Sequence, residues 1–548
     1  MEFIQQISAD GKQFPEFKGK VIKHGDADYE AQSYQYASSS YLNEGIIQPA
    51  VIIKAADDSD VIKAIKYARG KKIAVAVRTG GHQFSGASST NGKNIQLDLS
   101  QTYKDFKWDD EDYTMVTFGI SITLGEFNAK LREKNRFVPH GQCQYVNMGG
   151  HIQTGGYGQL GRSFGLLSDH VIKFRFITAN GQVQWVRRNI DKDKDLFFAV
   201  LGGSPGNFGV LTHVTLDVYR DEDYPNSRGL KAVYPYSRQR LKALLDIMVE
   251  MVEDENFPAD YDYCVTVIDE PKLNTKELTY DMIYNHGSSL DGFPPLIFVF
   301  VQWANLQGYQ QNYNSTFIDK IQQVAGKGLI QFSDKEHIPM STLTGHWIFT
   351  INREFKYPYI KRVYASNSSA QRLKKFGWTD WVTGRIEDGA KRNLKLTAQF
   401  QHFGGINSRF YQNGKNSPTS FSWRDSRIVN GLDAYYHAFL HKQAIKWQQG
   451  NEEEVGNPES PFCEQDHRFL WGSFDLDLSA AQQYYYDQQP EGKYDRLCNI
   501  KKHYDPLGVF TPNRFCICLP PLEMQSSQTT KREVDAMKLK KGNSADKW

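Results

Sequence analysis

The residues best placed to do chemistry lie in one stretch, His140 to Val171, reading HGQCQYVNMGGHIQTGGYGQLGRSFGLLSDHV. A single thiol, Cys143, precedes a glycine-dense run. Glycine lets a backbone approach a flat or phosphorylated ligand with no side chain in the way. Such density costs conformational entropy on folding, so a compensating gain is expected. The reading is a segment wrapped around a large bound cofactor, with Cys143 attached to it.

A second reactive candidate is His82, which follows Arg78-Thr79-Gly80-Gly81. Turn glycines at the end of a buried strand expose backbone N–H groups that can cradle phosphate oxygens. Taken alone, a histidine there is more often a hydrogen-bonded turn residue. The literal G-x-G-x-x-G at Gly156–Gly161 misleads. A dinucleotide fingerprint needs a β-branched strand before it and an acidic residue about 20 positions on, and Gly181 stands at that distance. A Rossmann domain is therefore rejected.

These residues need elements to hold them. Ala50–Lys54 and Ile73–Val77 read as strands, and Asp58–Arg69 between them as a helix capped by Ser59 or Asp58. That makes an α/β unit. Asn94–Ser100 is a further strand, and DYTMVTFGISITLGEFNAKLREKN reads as strand, turn and helix. VIKFRFITANGQVQWV is a hairpin turning at Asn180-Gly181. GGSPGNFG, from Gly202, is a second glycine loop opening into a strand at Val210. From about residue 222 glycine thins, and helices such as SRQRLKALLDIMVEMVEDE alternate with strands such as DYCVTVID and LIFVFVQW. At the end of the last of these, Gln302 and Trp303 are candidates to bond and stack on a pyranose, although a core tryptophan is the commoner outcome.

Composition narrows the classes. The chain has 548 residues, enough for two or more domains. Its net charge of +2 gives no reason to expect nucleic acid or an anionic membrane as partner. No apolar run approaches membrane-spanning length. No basic start followed by an apolar stretch is visible, so either an intracellular protein or one numbered from a mature end is expected. Six cysteines are too few for a disulfide framework in a chain this long. Cys516 and Cys518 lack a second pair at zinc-site spacing, so no metal is expected. The sequons at Asn314 and Asn367 are read as chance.

Four motifs in order, RTGGH at 78–82, GQC…NMGGHIQTGGYGQLGRSFGL at 141–166, GGSPGNFGV at 202–210 and YDPLGVF at 504–510, resemble the FAD-linked oxidases with a PCMH-type FAD domain. Within these, the resemblance is to the berberine-bridge-enzyme-like and carbohydrate-oxidase group. It implies an α+β fold: a PCMH-type FAD-binding domain of two α/β subdomains (1–221), and a substrate domain with an antiparallel sheet flanked by helices (222–495). A segment returning to the FAD domain (496–522) and a disordered tail (523–548) complete it.

The resemblance also assigns residues. The cofactor is FAD, bonded at its 8α-methyl to His82 and at its C6 carbon to Cys143. Its pyrophosphate is expected along Arg78, Thr79, Gly80, Gly81, His82 and Gln83. The adenine end is expected near Gly149, Gly150, His151, Gly155 and Gly158, and near Gly206, Asn207 and Val210. Val146 aligns with the dioxygen side of the flavin, where a small residue goes with oxidases; Asn147 and Met148 replace the usual Gly-Val. The implied reaction oxidises a hydroxyl of a sugar or similar alcohol by hydride transfer to flavin N5 and reduces dioxygen to hydrogen peroxide. Its base is a tyrosine activated by an aspartate. FSWRDSRIVNGLDAYYH resembles the region carrying the aspartate, with Trp423 for a histidine. It offers Asp433, and Tyr435 or Tyr436 beside it. The stretch expected to carry the tyrosine reads LWGSFDLDL, with Phe474 in its place. An oxidase or dehydrogenase of specialised metabolism, and a non-catalytic flavin-retaining protein, are the alternatives. Partners beyond a small substrate and dioxygen, and the oligomeric state, are left open.

Overall fold

The computed structural model describes residues 14–33, 48–83, 88–90, 92–202, 205–269, 295–326, 328, 330–332, 336–346, 348, 359–463, 466–468, 492–513 and 516–518. Phe474, the tail from 523, and Gly203-Ser204 of the second glycine loop lie outside them.

Three of the four sheets among the described residues organise the chain. The first runs Lys20–Lys23, Val51–Lys54, Ile95–Asp98, Val75–Arg78, with the last three strands parallel. Helix Asp58–Lys71 covers it through Val61, Ala64, Ile65 and Ala68, the apolar positions at helical spacing. Its cap is Asp57 rather than Ser59 or Asp58. Asp57 is extended at φ −159° and accepts from the Ser59 and Asp60 amides. A cap must stand outside the helix while its oxygen reaches in, and Asp57 meets both needs.

The second sheet is antiparallel, ordered Phe106–Trp108, Met115–Gly119, Gly209–Asp217, Val171–Thr178, Val183–Arg187. The hairpin turns at Asn180-Gly181, where Gly181 takes φ +81°. Helix Leu124–Arg132 begins with the reciprocal Thr123–Glu126 capping box. One hydrophobic core fills the space between these two sheets.

The third sheet has eight antiparallel strands among the described residues: Ile330–Phe332, Arg228–Pro235, Leu296–Trp303, Tyr261–Ile268, Lys395–His402, Ile428–Tyr435, Tyr359–Ser366 and His467–Arg468. Helices Arg238–Glu253, Trp378–Lys391 and His441–Val455 pack on one face, forming a second core with Leu244, Met248, Val382 and Trp447. The other face turns toward the glycine loops. The whole is α+β.

Buried polar contacts join the parts. The Arg162 amide donates to Asp262 Oδ1 at 2.9 Å, and the Arg162 guanidinium donates to the Tyr261 carbonyl at 2.8 Å. Helix Lys493–Tyr504 leads the chain back to the first two sheets, where the Val75 amide donates to the Val509 carbonyl at 2.7 Å. Cys498 and Cys518 are disulfide-bonded, with Cα atoms 5.4 Å apart. Spacing alone did not disclose this pair, because only the fold brings position 518 back to the helix. No helix among the described residues is long and apolar enough to cross a membrane.

Candidate functional site

A cleft opens between the glycine loops and the free face of the third sheet. It encloses about 1890 Å³ of atom-free space, including its mouth. Its loop wall comprises Thr79, Gly80, Gly81, His82 and Gln83; Gly141 to Cys143 with Val146; Gly149 to His151 with Tyr157 and Gly158; and Pro205 and Gly206. His82 and Cys143, separated by sixty residues of sequence, thus line one cavity. The Cys143 thiol is half-buried and lies outside the disulfide.

The glycines are needed for two different reasons. A Cβ at Gly80 would collide with the Asn147 side chain, so the two loops close on each other only because residue 80 has none. Gly150 meets nothing within 4 Å in the same test and lines the cleft, so a side chain there would occupy ligand space. A long slot walled by bare backbone fits FAD, whose pyrophosphate and flat rings need close backbone approach.

The sheet wall is built by strand alternation. Successive residues of a strand face opposite ways, so each of four neighbouring strands gives the cleft two residues, at i and i+2. The register aligns them into two rows: Ile268, Thr397, Asp433, Lys361 and then Thr266, Gln399, Gly431, Val363. In the first row Lys361 Nζ lies 2.7 Å from Asp433 Oδ2, and the carboxylate side chain is only 2% exposed. In the second, Gln399 Nε2 donates to Gln142 Oε1 at 2.6 Å and to the Thr266 hydroxyl at 3.2 Å. Tyr157 faces the same cavity, packed between Phe403 and Trp423. Burial, followed by the charge of Asp433, holds its phenol far above the usual tyrosine value.

Other expected residues fall elsewhere. Arg78 turns back from the loop: its guanidinium donates to the Gln32 carbonyl at 2.6 Å and sits 3.8 Å from Asp98. Val210 points away from the cleft, its strand neighbours Gly209 and Leu211 being the ones that line it. Asn207 faces the C-terminal segment, where Oδ1 accepts from the Ile517 amide at 2.7 Å. Gly155, at φ +93°, is packed against Phe421 behind the wall. Tyr435 shares the face of Asp433, one step along the strand and off the cleft wall. Tyr436 turns to the helix side, its hydroxyl 2.9 Å from His441 Nδ1. Gln302 donates to the Leu343 carbonyl at 2.6 Å, and Trp303 packs on Tyr313 in the core; neither reaches the cleft. The wall residues that sequence reading passed over are Lys361, Thr266, Thr397, Gln399, Gln142 and Tyr157. Tyr157 stood in plain view inside the glycine motif.

Two histidines fix the Cys143 loop, His140 fully buried and His151 half-buried at the cleft wall. His151 Nε2 accepts from the Gly141 amide at 2.9 Å, which requires a neutral ring. Asn128 Nδ2 lies 2.7 Å from His140 Nε2. Burial lowers His140 to about 4; burial, then the charge of His140, lowers His151 to about 3. Their contribution to stability is complete above the ordinary value of 6.5 and is lost as pH falls toward these folded-state values. For His140 alone it is on the order of 3 kcal/mol. Asp262, raised by burial to about 6, opposes part of this change. Urea unfolding at about pH 7 and about pH 4.5 should show a loss that His140→Gln reduces; an unchanged slope in that variant would refute the assignment.

Residues 49–187 match the family model described as an FAD binding domain. The uncharacterized FAD-linked oxidoreductase YvdP of Bacillus subtilis is 32% identical over 202 residues, covering 37% of this chain and 43% of that protein. Berberine bridge enzyme-like 12 of Arabidopsis thaliana is 33% identical over 204 residues, covering 34% and 37%. The chain thus spans about two-fifths of the length of these curated relatives. A chitooligosaccharide oxidase structure superposes with a TM-score of 0.70 over 94% of this chain and all of that one, at 15% identity, which establishes a shared fold. Residues 49–187 thus match an FAD binding domain, and the chain as a whole shares the fold of the chitooligosaccharide oxidase structure.

Proposed function

We propose that the protein is an oxidase of hydroxyl groups on a sugar or similar polyol, with its flavin bonded to both His82 and Cys143. The observation that carries this reading is the composition of the cleft. A loop wall offers an imidazole and a thiol, and facing it is a sheet wall of hydrogen-bonding side chains around a buried lysine–aspartate pair. Both attachments need an unprotonated nucleophile, a neutral imidazole and a thiolate.

Held by the glycine loops through His82 and Cys143, FAD would supply the acceptor for the hydride of the substrate carbon and the route for its electrons to dioxygen. The chain supplies the rest. Tyr157 takes the hydroxyl proton. Because burial and Asp433 keep its phenol protonated at rest, it accepts that proton only by passing its own to Asp433. Lys361 holds Asp433 in place. Gln399, Gln142, Thr266 and Thr397 are the groups that bond the remaining hydroxyls. Tyr157 is the wall's aromatic residue among the described ones, which favours a hydroxylated substrate over a flat aromatic one.

The test is a panel of mono- and oligosaccharides assayed for hydrogen peroxide. Peroxide formed in step with substrate oxidation supports the reading. Flavin that bleaches without peroxide would make the protein a dehydrogenase. Silence across the panel from a photoreducible flavin would exclude sugars.

A further inference from the structure

We propose that the Cys498–Cys518 disulfide is a redox-sensitive clasp: it holds the C-terminal segment against the backs of two loops of the flavin cleft, and its reduction loosens both. The consequence for flavin rests on the reading of those loops given above; the clasp itself does not.

Residues 505–513 and 516–518 touch the cleft loops from behind at several points. On one side, Val509 accepts from Val75, the first residue of the strand that leads into His82. That strand is the outer edge of its sheet, so Val509 supplies a backbone partner that no neighbouring strand offers. The Thr90 hydroxyl donates to the Pro512 carbonyl at 2.9 Å, and Asn513 Nδ2 donates to the Ser89 carbonyl at 2.9 Å. Ser89 and Thr90 follow Ser88, itself a cleft residue. On the other side, Ile517 donates to Asn207, the neighbour of cleft residue Gly206. Lys501 closes the arrangement. Its buried ammonium donates to the Asn207 carbonyl, to Asp505 at 2.7 Å and to the Phe510 carbonyl at 2.9 Å.

One end of this segment is fixed by helix Lys493–Tyr504, which packs on helix Lys194–Val200. The other end is fixed by Cys518, bonded to Cys498 on that helix at a sequence separation of 20. Both cysteines are only partly buried. The third cysteine, Cys516, is buried, and its thiol is pushed up to about 11 by burial, so it is a poor competitor for exchange. Reduction is balanced: the disulfide gains two electrons and two protons to give two thiols, and the dithiol closes to its own disulfide.

Hydrogen exchange of the purified protein, with and without dithiothreitol, tests the clasp. Reduction should speed exchange about tenfold or more in peptides containing Val75 and Ile517, and leave strand Lys395–His402 unchanged. Cys498→Ser should reproduce this without reductant. Unchanged exchange at Val75 and Ile517 on reduction would overturn the clasp. So would acceleration across the whole chain, or peptide masses showing both cysteines as thiols in the air-purified protein. Loss of flavin is scored separately by absorbance. Loosened loops that keep their flavin leave the clasp standing and detach it only from cofactor retention.

Discussion

Replacing Tyr157 by phenylalanine should lower kcat by about 10² to 10⁴ while leaving flavin content and unfolding temperature close to those of the parent. The change removes one oxygen from a ring that stays wedged between Phe403 and Trp423, so packing is conserved. What it removes is the group proposed to move a proton between substrate and Asp433. The loss should fall on kcat more than on KM, since the remaining hydroxyls of the substrate keep their partners. Turnover within threefold of the parent, measured by peroxide release on whichever substrate the panel identifies, would eliminate Tyr157 as the proton carrier.

Lys361→Met should be costly in two ways. It takes away the ammonium 2.7 Å from a carboxylate that is 2% exposed, leaving that charge buried without it. Breaking such a pair costs about 3 kcal/mol, discounted somewhat because Lys361 itself is 19% exposed. Urea unfolding should register that loss. Turnover should fall together with stability, because Asp433 is the proposed recipient of the proton from Tyr157. The double variant Lys361→Met with Asp433→Asn separates the two effects. It removes the stranded charge and should recover most of the stability, while turnover stays low. Recovery of turnover in the double variant would show that the pair is structural only.

The loop wall of the cleft is more legible in the sequence than the sheet wall, for a physical reason. Loops that cradle a ligand carry their signature locally: Gly80 and Gly81 stand next to His82, and Gly149 and Gly150 lie within one turn of His151. The sheet wall is assembled instead from positions 266 to 433, and it exists only once the register places Thr397 between Ile268 and Asp433. Asp433 could be read from a neighbouring motif, but Lys361 could not. Its partner lies seventy-two residues away, and nothing near it marks it as more than a strand lysine. Arg78 opens the loop along which the pyrophosphate is expected, while its own buried guanidinium donates to the Gln32 carbonyl and lies 3.8 Å from Asp98. Gln302 and Trp303 are suggested by residue type alone. The alternation that aims Thr266 and Gln399 at the cleft puts Trp303 in the helix-side core, and Gln302 bonds the Leu343 carbonyl.

The claim on which the rest depends is that one flavin is held by two side chains from separate loops. Intact mass before and after denaturation, followed by peptide mapping, tests it. Double attachment predicts that the denatured protein keeps its flavin on peptides containing His82 and Cys143, that His82→Ala and Cys143→Ala each keep it by the remaining bond, and that the double variant releases it. Flavin leaving the parent protein on denaturation, or leaving either single variant, would contradict it.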